Sequence, residues 1–520
     1  MGSKVSVQGD EWLSEVIACV PERATGSQTD QLADFVCRYY RRVVPDEYSE
    51  RPVEALFGAP FSLWQFTQHR APGTAAVRLF NPRVEEHGWK SVHTIVEIVN
   101  DDMPFLVDSV TMELTRQGHT VHKIIHPVMD VLRSPEGEFV GLGGVDQEPA
   151  TGGVGSVRES FMCLEIDEQS APEVLSTIQG QIVRALVDVR VAVQDWRPML
   201  DQMDTTIQIL VGSPPPVDAI QLDEAVEFLA WLGDNHFTLL GYREYDFNPD
   251  AEGDPLSMVA TSGLGGLRDP NRHVLQSAGR DEQTSAEVIT FLREPDPIII
   301  TKANLRSMVH RPVYMDYIGV KRFSKDGAMI GECRFVGLFT SAAYNRNPAQ
   351  IPLIRSKVQR IMDLAGFPPT SHDGKALLNI LETYPRDELF QISDDLLLEF
   401  SLAILRLQER PRARLFLRAD QYRRFVSALV FLPREHYDTQ LRRRVEAILQ
   451  DAYDGSVVAH YTLVGDSVLA RLHLIIRTQP GGPDPDPEEL DARVVEAARS
   501  WGDVLHEALT ELLGEERGNL

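Results

Sequence analysis

Between residues 93 and 186 the hydrophobic period alternates between strand and helix, and the order of those changes leaves few folds open. His93–Val99 is rich in β-branched residues and reads as a buried strand. After the joint 100-NDDMPF-105, Leu106, Val110 and Leu114 fall on one helical stripe, which Gly118 ends. Thr120–Leu132 is strand-like again, with a hairpin turn at 134-SPEGE-138 and a glycine-rich loop over 141–155. Ser160–Asp167 reads as a further strand, Pro172–Leu186 as a helix, and Val187–Val193 as a candidate last strand. This β-α-β-β-α order, with helices on one face of an antiparallel sheet, is ferredoxin-like.

A weaker copy of the pattern closes the chain. Phe425–Leu432 is a strand, Thr439–Asp451 a helix, and Ser456–Val464 with Val468–Arg477 a hairpin around Gly465-Asp466. A second helix starts at Asp486, a capping aspartate, with Pro487 in the first turn and Glu488 and Glu489 favoured by the helix dipole.

The first 88 residues read as helical. Leu32, Phe35, Val36, Tyr39, Tyr40 and Val43 form one buried face, Ser27 with Asp30 resembles a capping box, and Pro45 closes the segment. The middle block differs from both copies. An amphipathic helix over 222–234 leads into a strand over 237–247, followed by strands at Ile298–Thr301, Val313–Phe323 and Met329–Thr340. That run of hairpins predicts a five-stranded antiparallel, sensor-like sheet. Residues 348–408 return to helix, with Ile351, Ile354, Val358 and Ile361 on one stripe. The expected division is 1–88, 89–205, 206–345, 346–411 and 412–520, within an α+β fold class.

With 520 residues, 43% of them hydrophobic and 25% charged, the chain has the apolar mass for several cores. The net charge is −26, from 51 Lys+Arg against 77 Asp+Glu, which repels phosphate backbones and anionic lipids. Basic runs such as Arg442-Arg443-Arg444 and Arg41-Arg42 read as solvated helix faces. Cys19, Cys37, Cys163 and Cys333 form no C-x-x-C pair, which fits a reducing cytosol. No window approaches the ~18 apolar residues of a membrane span. The expectation is a soluble cytoplasmic protein that binds neither nucleic acid nor membrane.

No G-x-S-x-G, H-E-x-x-H or Walker motif is present, and no catalytic, cofactor-binding or metal-binding residue is assigned. The glycine runs at 141–144 and 263–266 lack a strand-to-helix setting and read as loops. His119, His122 and His126 are the best metal candidates, but on a strand His119 and His122 point to opposite faces, so they read as structural. The pair Asp101-Asp102 has three readings. It is a catalytic dyad without a partner motif, a helix start with Asp102 as N-cap and Pro104 in the first turn, or an anchor for an amino acid. The cap reading makes Asp102 structural and turns Phe105 inward.

The run 94-TIVEIVNDDMPFLVDSVTMEL-114 resembles the opening of an ACT domain. Together with 77-VRLFNPRVEEHGW-89, 231-WLGDNHFTLLGYREYDF-247 and 430-VFLPREHYDTQLRRRVEAIL-449, it resembles the N-terminal segment of the large bacterial NAD-specific glutamate dehydrogenases. The resemblance implies ACT-like and PAS-like modules, a homo-oligomer, and a small-molecule effector such as an amino acid. It also implies a parent enzyme that deaminates L-glutamate with NAD in a downstream domain. Asn100, Asp101, Asp102 and Phe105 become candidate effector contacts. The usual ACT turn carries Pro-Gly, whereas Phe105 follows Pro104 here, and 432-LPREHYD-438 lacks the glycine as well. The other reading is a free-standing amino-acid sensor; a hydrolase or lyase has no motif behind it.

Overall fold

The computed structural model describes residues 11–24, 26–44, 51–144, 154–248, 255–275, 293–409, 412–420, 422, 424–465, 467–479, 481–499, 505, 509–512 and 514. Two compact units result, residues 1–194 with 307–312, and residues 195–306 with 313–520. Both are mixed α+β with antiparallel sheets. Among the described residues no helix is long and apolar enough to cross a membrane.

The first unit opens with α1 (Glu11–Ala18), α2 (Ser27–Tyr40) and α3 (Val53–Phe66). Leu32, Phe35, Val36, Tyr39 and Tyr40 are all buried along α2. Gly26, at φ 64°, is the N-cap, so Ser27 is the first helical residue rather than the cap. The helix ends at Tyr40, and Pro45 lies outside the described residues. β1 (Ala76–Phe80) follows, a strand inside a segment expected to be helical. Then come α4 (Val84–His87), β2 (Thr94–Asp101), α5 (Leu106–Arg116), β3 (Val121–Ile125), β4 (Val128–Arg133), β5 (Phe139–Leu142), β6 (Gly155–Ile166) and α6 (Pro172–Gln194). The sheet order is β1-β2-β6-β4-β5, with β3 also pairing β6.

Several expectations change here. Thr120–Leu132 is two strands rather than one, because Pro127 has no N–H to continue a ladder. β3 and β4 pair with successive stretches of β6. Gly141 and Leu142 belong to β5, not to a loop, and 145–153 lie outside the described residues. Val187–Val193 is not a strand but the last turns of α6, where Ile182, Ala185, Val189 and Ala192 keep one face buried. The place beside β2 that a last strand would take is filled by β1, antiparallel to it.

Helices also cover more than one face of this sheet. Ile95, Val99, Met129, Val131 and Phe161 share a core with Phe35, Leu63 and Trp64 of α2 and α3. Val96 and Ile98, pointing the other way by strand alternation, are equally buried. A strand covered on both faces needs apolar residues on both, which explains Ile95, Val96, Ile98 and Val99, with the buried Glu97 among them paired to Arg78.

In the second unit, α7 (Trp196–Gly212) precedes α8 (Ala219–Trp231), which starts with a reciprocal box between Asp218 and Gln221. The next sheet holds β7 (Phe237–Phe247), β8 (Leu256–Met258), β9 (Leu264–Gly265), β10 (Ile298–Arg306), β11 (Tyr314–Phe323) and β12 (Met329–Phe339). Its order is β10-β11-β12-β7-β8, with β9, from the glycine run expected to be a loop, pairing β7. Helices α9 (Ser341–Asn345), α10 (Ile354–Ala365), α11 (His372–Thr383), α12 (Arg386–Gln391) and α13 (Asp394–Glu409) follow.

The last module holds β13 (Arg414–Ala419), β14 (Phe425–Pro433), α14 (Thr439–Tyr453), β15 (Ser456–Leu463), β16 (Leu469–Arg477) and α15 (Pro487–Ala498). Its sheet order is β13-β14-β16-β15. Val426, Ala428, Val430 and Leu432 pack against Val445, Leu449 and Val494 of α14 and α15. The opposite face, through Phe416, Leu429 and Leu469, packs against Ile361, Leu377, Phe400 and Leu407 of the preceding helices.

Candidate functional site

Asn100 and Asp101 end β2, and the groups around them are cationic. Asp101 accepts from Arg70 and from Arg190, each at 2.5 Å, and Asn100 Oδ1 accepts from Arg190 at 2.5 Å. Arg70 also donates to Glu159 at 2.8 Å, and Arg133 grips both Glu159 oxygens at 2.6 and 2.8 Å. Arg133 further donates to the Thr67 and Gly137 carbonyls. Glu159 and Asn100 are fully buried, and Arg70 and Arg133 nearly so. Burial alone would raise the Asp101 pKa, but the hydrogen bonds from Arg190 and Arg70 outweigh it and hold it below the ordinary value. Three guanidinium groups face two carboxylates, and among the described residues the Asn100 amide Nδ2 has no hydrogen-bond partner. Asp101 therefore spends its charge inside the protein, joining β2 to α6 and to the loop after α3.

The other two candidates lie differently from expectation. Asp102 does not cap α5; its carboxylate faces Arg158 at 3.1 Å, exposed to solvent. The N-cap position is Phe105, which has no side-chain cap bond and a left-handed backbone at φ 71°. Phe105 thus occupies the conformation that a glycine would take after Pro104 without strain. Its ring is half-buried rather than turned into the core, against the His310 ring at 5.2 Å. His310 reaches Asp108 at 3.0 Å, and its backbone N–H donates to the Ser109 hydroxyl.

The corresponding joint after β14 is built otherwise. Asp438 does cap α14, accepting from the Leu441 N–H at 2.7 Å. Beside it opens a cavity of about 470 Å³, whose lining includes Arg412, Arg434, His436, Val468, Val495 and Arg499.

The histidines of the first module are separated by their partners. His122 bonds Asp167 at 2.8 Å and stacks on His93, while His126 bonds the Ser160 hydroxyl at 2.7 Å. Backbone and His122 hydrogen bonds bring the Asp167 pKa down to about 2. Among the described residues no three His, Cys, Asp or Glu side chains come together as a metal site would need.

One cluster escaped the sequence reading. Lys302 bonds Asp316 at 2.5 Å and lies 3.0 Å from Asp387, which also accepts from Tyr344. Next to it Arg418 clasps Glu388 at 2.7 and 2.9 Å, and His473 bonds Ser427. Burial pushes the Asp316 pKa up to about 6 against the pull of Lys302. These residues come from β10, β11, α9, α12, β13, β14 and β16, so no local pattern joins them. The available signal was a charged residue inside apolar strand text, as in 314-YMDYIGV-320.

Residues 35–182 match the family model of the glutamate dehydrogenase ACT1 domain, 351–410 that of glutamate dehydrogenase helical motif 1, and 414–502 that of the ACT2 domain. The chain is 39% identical over 488 residues to the NAD-specific glutamate dehydrogenase of Halomonas elongata, covering 94% of this chain and 30% of that protein. It is 37% identical over 496 residues to that of Pseudomonas aeruginosa, again covering 94% and 30%. With that of Mycobacterium tuberculosis it shares 30% over 472 residues, covering 87% and 27%. The chain spans less than a third of the length of these curated relatives.

Proposed function

The chain belongs to the NAD-specific glutamate dehydrogenase family, and we propose that it is the regulatory and assembly portion of such an enzyme. The parent polypeptide would oxidise L-glutamate with NAD and water to 2-oxoglutarate, ammonium and NADH, with NAD bound and the chemistry done outside these residues. The observation that carries this reading is the ordered match of ACT1, helical motif and ACT2 within less than a third of each relative.

Three finer readings belong to this proposal. The β7–β12 sheet serves as a PAS-like sensor platform; its antiparallel order β10-β11-β12-β7-β8 supports it, with β9 on β7 as a sixth strand where five were expected. An amino-acid effector engages the joint after β14 rather than the one after β2. The arginine-lined cavity favours the former, and the committed Asp101 argues against a ligand held by Asn100, Asp101, Asp102 and Phe105. Subunits associate through β15, the last strand of its sheet among the described residues, whose Tyr461 and Leu463 are about half exposed. The four free cysteines agree with a cytoplasmic setting.

The test is NADH formation from glutamate and NAD. The purified 520-residue chain should give none above a contamination control, while the full-length polypeptide should be active. Activity in the short chain, or a full-length polypeptide without it, would sink the proposal, the latter in favour of a free-standing sensor.

A further inference from the structure

We propose that a cavity in the second unit, walled by β10, α8 and the first turn of α10, is a binding site for a small aliphatic carboxylate. Its volume is about 280 Å³, and Ile298 and Ile300 of β10, Ala225 of α8 and Phe390 supply apolar wall. Two lysines, Lys321 of β11 and Lys357 of α10, supply its positive charge. This site is separate from the joints already described and does not rest on the oxidoreductase reading.

The charge balance carries the argument. Lys357, partly buried, donates to the carbonyls of Leu389 and Ile392 at 2.9 and 2.6 Å. Carbonyl dipoles orient an ammonium but do not neutralise it, and among the described residues Lys357 forms no ion pair with a carboxylate. The remaining charges in the wall are committed or lie in solvent. Arg360 pairs with Asp394 at 2.6 Å. Glu224 pairs with Arg355 at 2.6 Å and accepts from the Leu353 N–H. Glu294 and Asp296 are exposed, where water screens them. Lys321 is almost wholly buried and donates to the Glu294 carbonyl at 2.8 Å.

A group that fits such a cavity brings one negative charge to Lys357 and hydrocarbon to Ile298 and Ile300. A dianionic phosphate has no surface to offer the apolar wall and would meet Glu294 and Asp296 at the exposed side. Around Lys357, burial lowers the pKa to about 8, with Arg360 and Arg418 acting in the same direction and Asp394 and Glu388 against it. A bound anion reverses part of that shift. Binding therefore takes up a proton near pH 8, and affinity falls as pH rises beyond it.

Isothermal titration of the whole chain with butyrate, succinate and inorganic phosphate tests this, repeated at pH 8 in buffers of different ionisation enthalpy. Butyrate should bind with net proton uptake, succinate more weakly because its second carboxylate faces the acidic side, and phosphate not measurably. Lys357→Met should weaken butyrate about ten- to a hundredfold, the loss of one charge-assisted hydrogen bond, and abolish the proton uptake. Ile298→Phe, which leaves Lys357 in place and fills the cavity, should weaken binding as well, with circular dichroism verifying the fold of both variants. Absence of butyrate binding overturns the proposal and leaves Lys357 as a clamp on the turn after α12. Equal binding of phosphate, or butyrate binding unchanged in both variants, overturns it too.

Discussion

At the end of β2 the chain runs into guanidinium groups; at the end of β14 it runs beside open space. The two modules otherwise follow one plan. Each has a strand that pairs before the first β-α unit, sheet neighbours in the same relative order, two helices on one face and a separate helical layer on the other. The first joint spends its carboxylate on Arg70 and Arg190 and starts its helix on a strained Phe105, whereas the second caps its helix with Asp438 and keeps arginines beside a cavity. A shared topology thus fixes where a joint stands but not whether its carboxylate is committed to arginines or a cavity opens beside it.

The largest effect should come from cutting the first network. Glu159→Leu leaves Arg133 buried without its counter-charge and Arg70 with Asp101 alone, at a cost of about 3–5 kcal/mol. Arg434→Ala, exposed at the second joint, should stay within about 0.5 kcal/mol. Hydrogen exchange across β2, β6, β14 and β16 reads both, and equal loosening of the modules would erase the contrast. Next in size is the cap. Asp438→Ala should cost about 0.5–2 kcal/mol in a urea melt, while Asp102→Ala should cost almost nothing, the reverse of what the NDDMP text suggests.

A smaller effect separates two carboxylates by pH. The Asp101 pKa is lowered in the fold, so its contribution is present above the unfolded value of about 3.9 and fades as pH falls through the folded one. The Asp316 pKa is raised, so its contribution is complete below about 3.9 and fades as pH climbs through about 6. Exchange rates of β2 should therefore rise with acid, and those of β11 between pH 4 and 7; parallel profiles would refute the assignment. The smallest effect is at Phe105. Phe105→Ala loses the ring and keeps the left-handed backbone, whereas Phe105→Gly loses the ring and relieves the strain, so the glycine variant should be the more stable by about 1 kcal/mol.

How much of this was legible in the sequence depended on range. The stripe of Leu106, Val110 and Leu114, the strand 237–247 and the Asp486 cap follow from neighbours in the chain, and they appear where expected. Val187–Val193 misled because composition favoured a strand while burial of Val189 and Ala192 selected the helix. Thr120–Leu132 misled because one proline divides what hydrophobicity makes continuous. At the joint, Asn100 and Asp101 stood out in the text, but their partners Arg70 and Arg190 are 31 and 89 residues from Asp101, beyond any local pattern. A separation of 85 residues likewise hid Lys302 from Asp387.

Placing the pairing strand ahead of its module also changes what the ribosome delivers first. β1 and β2 are separated by 81–93 and β13 and β14 by 420–424, so each edge can zip as soon as its neighbour emerges. A strand supplied after α6 would have had to wait for everything from β2 onward, on the order of ten seconds of synthesis. During that interval the largely apolar strand TIVEIV would stand with one bare edge in a crowded cell, and β1 closes that edge before the rest of the sheet exists.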